Sequence, residues 1–441
     1  MFQKTLSFIE NVSLLPNLKI KNLIFLISIV WIAILLGMWE FIYIFELKSI
    51  YVFPIIFDVD ALSNFASWQY LSNKIIHGDF LLLNDGESFL INNAVYARLS
   101  LIINAVIVGV FGYAISLFIY NIVFPTFCYI FLVKIYNVFL PLRWSIIISA
   151  ISIMSIAEYP FRNFILSLFE GNVLPSLSVI DQPDIMGQLF PSFSLLIFLI
   201  LFYFSVLSTR AGGSGHLILS IFWGLQGYIH ILNLVFGIPI WLIMLGLFYW
   251  RKSNNKKYTQ TNFMSFKNFI INSVVVLVLS LPVLIGIAMT NPNPYIDNNF
   301  NFDWFTIITY MITPTLLLGI CYATFRIDPY ELLIKFHLIW VIMFVEIFLL
   351  ILWSFFGFGV SNSIMDSRLG FHFIHPFYYV PAIYYAQRPY NKFYYGSEAN
   401  LFASLFRKYF SFSFRTLSII YLPMIFLLLS IFWGLQGYIH I

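Results

Sequence analysis

The chain has 441 residues, of which 61% are hydrophobic, 20% aromatic and only 10% charged. A soluble chain of this length would form two or three domains, but so few charges cannot cover a soluble surface, and the composition excludes that class. The formal net charge of +4 is too small to indicate nucleic-acid binding. Both cysteines, Cys128 and Cys321, lie in apolar runs, which excludes a disulfide framework and a CxxC site.

The apolar runs are about 20 residues long and are separated by short charged clusters, a pattern typical of membrane-spanning helices. Residues 23–45 have no small-residue cleavage site and predict an uncleaved first span with the N-terminus in the cytoplasm. A first outer loop follows at about 46–98. The next tract, 101–133, is too long for one upright helix and contains Pro125, so it predicts one kinked span after an interfacial segment.

The rest of the chain continues the alternation of apolar runs and charges. A third span is predicted at 144–157, a second outer loop at 158–186, and a fourth span that ends at Arg210. Basic residues at Arg210 and Arg251 place both ends of the intervening segment in the cytoplasm, which predicts a short helical hairpin. The remaining predicted spans are 268–290, 305–325, 337–360, 370–387 and one from about 416.

This topology gives about eleven spans and a single all-α transmembrane domain over residues 1–441. All but five of the 23 Lys and Arg residues then lie inside, as the positive-inside rule requires. Most acidic residues lie outside. The outer basic residues are Lys48, Lys74, Arg98, Arg162 and Arg368.

A segment of thirteen residues occurs twice without a change. LSIFWGLQGYIHI stands at 219–231 and again at 429–441. Both copies run outward in the predicted topology, so they are not the inverted pair typical of alternating-access transporters. A local duplication or an error at the chain end explains the identity more simply than a functional symmetry, and we assign no mechanism to the second copy.

An acidic pair in the first outer loop is the strongest candidate for chemistry. Asp58 and Asp60 stand two residues apart, about a dozen residues after the first span. Two such carboxylates can share a divalent cation, or one can act as general base while the other orients it. An acidic turn exposed to solvent has the same sequence, so the pair alone is a weak motif. Its place near the membrane surface suits a substrate carried on lipid.

The beginning of the chain resembles a known family. The order of basic N-terminus, one span, the outer segment FDVDALSNFASWQYLSNKIIHGDFLLLN (57–84), NNAVYARLS (92–100) and GYAISLFIYNIVFPTFCYIFLVKIYN (112–137) is similar to GT-C-type integral membrane glycosyltransferases. It most resembles their YfhO-like bacterial members, over roughly residues 20–140. The resemblance implies a GT-C-like bundle in a bacterial inner membrane, with an acidic residue of the first outer loop as base and a sugar carried on polyprenyl phosphate. That role falls on Asp58 or Asp60.

Cationic side chains on the outer side are candidates to bind such a phosphate. Arg98, Arg162 and Arg368 are predicted near helix ends, where a guanidinium can bind phosphate oxygens or pair with lipid head groups. Glu40, near the outer end of the first span, could reach the same cavity as Asp58. His230 shares a helix face with Gln226 by spacing, and both could line that cavity or serve as hydrogen-bonded packing residues.

The resemblance, placed on the predicted topology, therefore implies a membrane glycosyltransferase that moves a sugar from a polyprenyl-phosphate donor to a cell-envelope glycan or lipid acceptor at the outer face. Its partners would be that lipid-linked sugar, the acceptor and membrane lipids, and the only cofactor suggested is a divalent cation at Asp58 and Asp60. A transporter or flippase of lipid-linked glycan, or an O-antigen type polymerase, is the alternative. No nucleotide-binding loop occurs in the sequence.

Overall fold

The computed structural model describes residues 24–33, 69–73, 98–153, 189–211, 215–254, 266–289 and Val380. Every one of these stretches is helical or links two helices, and no strand occurs within them. The all-α class is therefore confirmed for this part of the chain.

We label seven of the described α-helices. They are α1 Arg98–Phe118, α2 Phe124–Asn137, α3 Leu142–Ile153, α4 Leu189–Ala211, α5 His216–Gly224, α6 Ile231–Asn254 and α7 Phe266–Met289. A π-helical segment, Ile119–Val123, joins α1 to α2, and a 3-10 turn, Gln226–Tyr228, follows α5. The chain divides into two compact units, one with α1, the first turns of α2 and α4 to α7, the other with the end of α2 and α3.

One helix of the described part is long and apolar enough to cross a membrane. It covers Phe266–Ile285 of α7 and has a mean hydropathy of 2.3. Only 22% of its most apolar stretch is buried inside the fold. Four shorter apolar helices are Ile24–Ala33, Ile102–Gly112, Phe193–Ser208 and Phe236–Leu247. An apolar helix that is mostly exposed within its own fold suits a lipid environment. The bundle of about eleven spans stays a prediction.

Helix α1 reverses direction at Gly112, where the sequence predicts a continuous kinked span. Gly112 has φ +73° and ψ 174°, a backbone conformation that glycine adopts at little cost. The Tyr120 hydroxyl donates a hydrogen bond to Asn104 Oδ1 from the other side of the break. Sixteen residues of uninterrupted helix would separate these two residues by roughly 24 Å, farther than their side chains reach. Residues 98–111 and 113–131 are therefore the two arms of a hairpin, the Gly112 hairpin.

Polar and apolar contacts between the two arms support this geometry. The Ser116 hydroxyl donates to the carbonyl of Ile107 at 3.3 Å, across nine residues. Val108 of the first arm and Tyr120 of the second lie in one buried cluster, with Phe124 packed against it. The sequence prediction of one kinked span over 101–133 is thus corrected to a hairpin, because Gly112 provides a turn that a kink alone does not.

Pro125 does not produce the break. Proline removes one helical N–H and its ring clashes with the carbonyl four residues earlier. Here the π-helical segment stands directly before it, and the N–H of Phe124 donates to the carbonyl of Ile119, five residues back. This wider turn accommodates Pro125, so the second arm continues into α2 without reversal.

Helices α4, α6 and α7 pack around the short helix α5. The predicted hairpin between Arg210 and Arg251 is present as α5 and α6, which run antiparallel. Trp241 bonds Ser220 in the middle of α5, and Asn233, near the start of α6, bonds Gln226 beyond the end of α5. The indoles of Trp223 and Trp241 are fully buried. Helix α5 is therefore the central element of this unit.

Close helix contact depends on Gly224, the last residue of α5. A Cβ at this position would lie 2.8 Å from Leu279 Cβ and 3.1 Å from the carbonyl oxygen of Val276, both on α7. Because neither atom belongs to a flexible chain end, we expect Gly224→Ala to destabilise the protein by about 1–3 kcal/mol. The measurement is the melting temperature of the purified protein in detergent.

Gly246 provides the matched control. It lies in α6, and a Cβ there would meet nothing within 4 Å. Gly246→Ala should therefore stabilise the protein slightly, by roughly 0.5–1 kcal/mol, because alanine favours the helix. Equal melting temperatures of the two variants would show that α5 and α7 are not in close contact.

The second unit contains a shorter hairpin. Helix α2 ends at Asn137, Pro141 starts the next turn, and the Ser145 hydroxyl donates to its carbonyl at 3.2 Å. The hydroxyls of Tyr136 and Ser152 lie 3.4 Å apart, both buried. These contacts place α3 beside the end of α2.

Candidate functional site

Five of the seven residues predicted to form the site lie outside the described part of the chain. These are Asp58, Asp60, Glu40, Arg162 and Arg368. Of the other two, Arg98 is the first residue of α1, and His230 lies in the link before α6. The distance of His230 from the acidic pair therefore remains a prediction.

Gln226 and His230 do not share a continuous helix as their spacing suggests. Helix α5 ends at Gly224, Gln226 begins the 3-10 turn, and α6 starts only at Ile231. The backbone N–H of His230 still donates to the carbonyl of Gln226 at 3.0 Å. Both side chains are buried. For Gln226 this is the packing role that the sequence offered as an alternative.

The break between α5 and α6 brings two amide side chains together in an amide cluster, made of Ser194, Gln226 and Asn233. Asn233 Nδ2 donates both to the carbonyl of Ser194, at 2.9 Å, and to Gln226 Oε1, at 3.0 Å. Gln226 Nε2 donates to the carbonyl of Phe222 at 3.2 Å. The cluster thus joins α4, α5 and α6.

Backbone carbonyls fix the orientation of both amides. A carbonyl oxygen can only accept, so the nitrogen of Gln226 must face Phe222 and the nitrogen of Asn233 must face Ser194. Asn233 Oδ1 is then directed away from these partners, and no described residue donates to it, although Asn233 is only 1% exposed. Among the described residues this oxygen therefore has no donor, which is uncommon for a buried amide.

A second group, the indole cluster, holds α4, α5, α6 and α7 together. Its members are Ser205, Ser220, Trp223, Trp241 and Asn272, all buried. Trp223 Nε1 donates to Ser205 Oγ at 2.8 Å, and Trp241 Nε1 donates to Ser220 Oγ at 2.9 Å. The Ser220 hydroxyl donates in turn to Asn272 Oδ1 at 3.0 Å. Since buried indole N–H groups need acceptors, these bonds fix the register of the helices.

The described helices contain few side chains that could act as acid, base or metal ligand. They contain no Asp or Glu, and no group of three or more metal-binding side chains occurs among them. His216, whose Nδ1 lies 3.2 Å from Ser208 Oγ, and His230 are the buried imidazoles of α4 to α6. Any carboxylate that acts as a general base would therefore lie outside the described residues.

Sequence reasoning missed most of these polar residues. Asn104, Asn233 and Asn272 each stand within an apolar run, where an unpaired amide is costly. That cost was the available signal that each one has a partner. The identity of the partner depends on helix packing, which periodicity does not reveal.

Comparisons of this chain with protein-family models, with curated proteins and with solved structures found no match.

Proposed function

We propose that this protein is a membrane glycosyltransferase that transfers a sugar from a polyprenyl phosphate to a cell-envelope glycan or lipid at the outer face of a bacterial inner membrane. The observation that carries the proposal is the acidic pair Asp58 and Asp60, placed about a dozen residues after the predicted first span. The resemblance of residues 20–140 to GT-C-type enzymes gives this pair its proposed role.

The distribution of charge supports the proposal. The described helices lack carboxylates, and α7 exposes a long apolar surface, so they suit a lipid-embedded scaffold. In the first outer loop, Asp58 and Asp60 lie close in sequence to the end of the predicted first span. A carboxylate at that depth can meet the head group of a lipid-borne sugar while remaining hydrated enough to stay ionised.

The proposed reaction is a direct displacement. Asp58 or Asp60 takes the proton from an acceptor hydroxyl, whose oxygen bonds to the anomeric carbon as the bond to the phosphate oxygen breaks. The electron pair of that bond leaves with the polyprenyl phosphate. Attack from the face opposite the leaving group inverts the anomeric centre.

The leaving phosphate needs cationic partners. Arg98, Arg162 and Arg368 are the proposed ones, because a guanidinium presents paired N–H groups to phosphate oxygens. Glu40 and His230 are proposed to bind the sugar or the acceptor. If Asp58 and Asp60 instead share a divalent cation, that ion would offset charge on the phosphate.

A flippase of lipid-linked glycan is the second candidate. The observation in its favour is the amide cluster, since buried polar groups at a helix break are typical of transport sites. These amides bond mainly to one another and to backbone, which favours a packing role. A flippase would move the lipid-linked glycan across vesicle membranes without forming a glycosidic bond.

Topology gives a direct test of the proposed site. In a background without native cysteines, Asp60→Cys should react with a membrane-impermeant maleimide added to intact spheroplasts, and Asn255→Cys should react only after the membrane is opened. Reaction of residue 60 exclusively from the cytoplasmic side would rule out transfer at the outer face.

A further inference from the structure

The Gly112 hairpin has an exposed apolar tip. Val110 and Phe111 precede the turn and Ile115 follows it, with 70%, 48% and 54% of their surfaces exposed. The exposed surface continues down both arms, to Leu99 on the first and Phe127 on the second. No charged side chain occurs from residue 99 to residue 133. A surface this apolar and continuous requires an apolar partner.

The path from Arg98 to the turn is too short for a simple crossing. The first arm has 14 residues from Arg98 to Phe111, so it is about 21 Å long, against roughly 30 Å for the hydrocarbon core. Arg98 belongs near a membrane surface, because an arginine at the bilayer centre costs about 2.5–3.5 kcal/mol or more. With Arg98 at one surface, an upright first arm would carry Gly112 past the midplane of the hydrocarbon.

The turn itself fits that depth. Backbone polar groups in hydrocarbon must be bonded within the protein, since no water is available. Glycine permits the reversal with a single non-helical residue, and the Ser116 hydroxyl bonds the Ile107 carbonyl across it. Asn104 and Tyr120 pair with each other between the arms, away from lipid. The buried polar side chains Asn104, Ser116 and Tyr120 thus bond across the hairpin, while Val110, Phe111 and Ile115 are exposed at its tip.

We propose that the Gly112 hairpin is a re-entrant element, which enters the bilayer from one face, turns at Gly112 and returns toward the same face with lipid acyl chains around its tip. The proposal rests on the membrane location in the proposed function but not on its chemistry. Leu99 and Phe127, at similar distances from the turn, would then lie at the same membrane face. A single crossing would separate them by about 42 Å, on opposite faces.

Three single-cysteine variants test this, each in full-length protein carrying Cys128→Ala and Cys321→Ala. An impermeant maleimide is applied to spheroplasts and to inverted vesicles. We expect Leu99→Cys and Phe127→Cys to react from the same face, and Val110→Cys to react from neither face but to react with a lipid-soluble maleimide. Reaction of 99 and 127 from opposite faces, or of 110 with the impermeant reagent, would overturn the proposal.

A distance measured between two spin labels tests the hairpin independently of maleimide labelling. Spin labels at Ile102→Cys and Phe118→Cys would be roughly 24 Å apart on a continuous helix, but about 10–12 Å apart in the hairpin. Strong dipolar broadening is expected, and its absence would contradict the hairpin. The face on which 99 and 127 react also separates this proposal from the proposed function: if it is cytoplasmic, the hairpin stands and Arg98 cannot bind an outer phosphate.

Discussion

Loss of glycan transfer is expected in Asp58→Asn, in Asp60→Asn or in both. An amide has the shape of the carboxylate but cannot accept the acceptor's proton, and losing a general base slows a reaction by roughly 10²–10⁴-fold. Cells carrying the inactive variant should lose the glycan and accumulate the polyprenyl-linked sugar. The readouts are envelope glycan composition and the amount of that lipid, compared with cells that lack the protein.

Asp79→Asn is the control, because this residue belongs to the same predicted loop but not to the pair. It should leave the glycan unchanged. Treatment of membranes with EDTA separates the two roles of the pair, since a shared divalent cation makes transfer depend on added Mg²⁺, and a simple base does not. If Asp58→Asn and Asp60→Asn are both expressed and both retain full transfer, the enzyme proposal fails.

The largest expected effect on stability is that of Asn233→Asp. A carboxylate at 233 cannot donate to the carbonyl of Ser194 or to Gln226 Oε1, so acceptors would face one another inside the fold. An uncompensated buried charge or its protonation makes the change costly, by about 3–5 kcal/mol. The melting temperature in detergent should fall sharply, and the loss should be smaller at low pH, where the new carboxyl is protonated.

Asn137→Asp is the matched control. Asn137 is exposed at the end of α2, so the same chemical change there adds only the unfavourable interaction of a carboxylate with the C-terminal end of the helix dipole. It should destabilise the protein by about 0.3–1 kcal/mol, well below the loss at 233. If the two variants melt at the same temperature, the amide cluster does not join α4 to α6.

The bounds of several helices follow closely from the sequence. The fourth predicted span ends at Arg210 and α4 ends at Ala211; the span predicted at 268–290 is α7, Phe266–Met289. In both cases charged or polar residues flank a long apolar run, which is the pattern from which the spans were predicted. The order of apolar and charged residues thus predicts the positions of these two helices.

The reversal at Gly112 could not be predicted in the same way. Glycine is common inside membrane helices, so Gly112 gave no distinctive signal, while Pro125 gave a strong one. The outcome depends on tertiary contacts: the Asn104–Tyr120 bond holds the arms together, and the π-helical segment removes the need for a kink at Pro125. These contacts join residues far apart in sequence.

The candidate site likewise combines residues that the sequence predicts with residues that only helix packing brings together. The spacing of Asp58 and Asp60 and their place after a span are sequence properties, and they carry the proposed function. The amide and indole clusters arise from packing among α4, α5, α6 and α7. In the sequence, only the isolated polar residues in apolar runs indicated them. The first copy of the repeated segment, 219–231, contributes Ser220, Trp223 and Gln226 to these clusters. Its second copy lies outside the described residues.

The most direct test of the central claim is transfer by the purified protein in proteoliposomes. The sugar donor is the polyprenyl-linked sugar extracted from cells that lack the protein, and the acceptor is their unmodified envelope glycan or lipid. We predict that the wild-type protein forms the glycosidic bond with inverted anomeric configuration and releases polyprenyl phosphate, and that the double variant Asp58→Asn/Asp60→Asn does neither. Equal transfer by that double variant, or movement of the lipid across the membrane without bond formation, would contradict the proposed function.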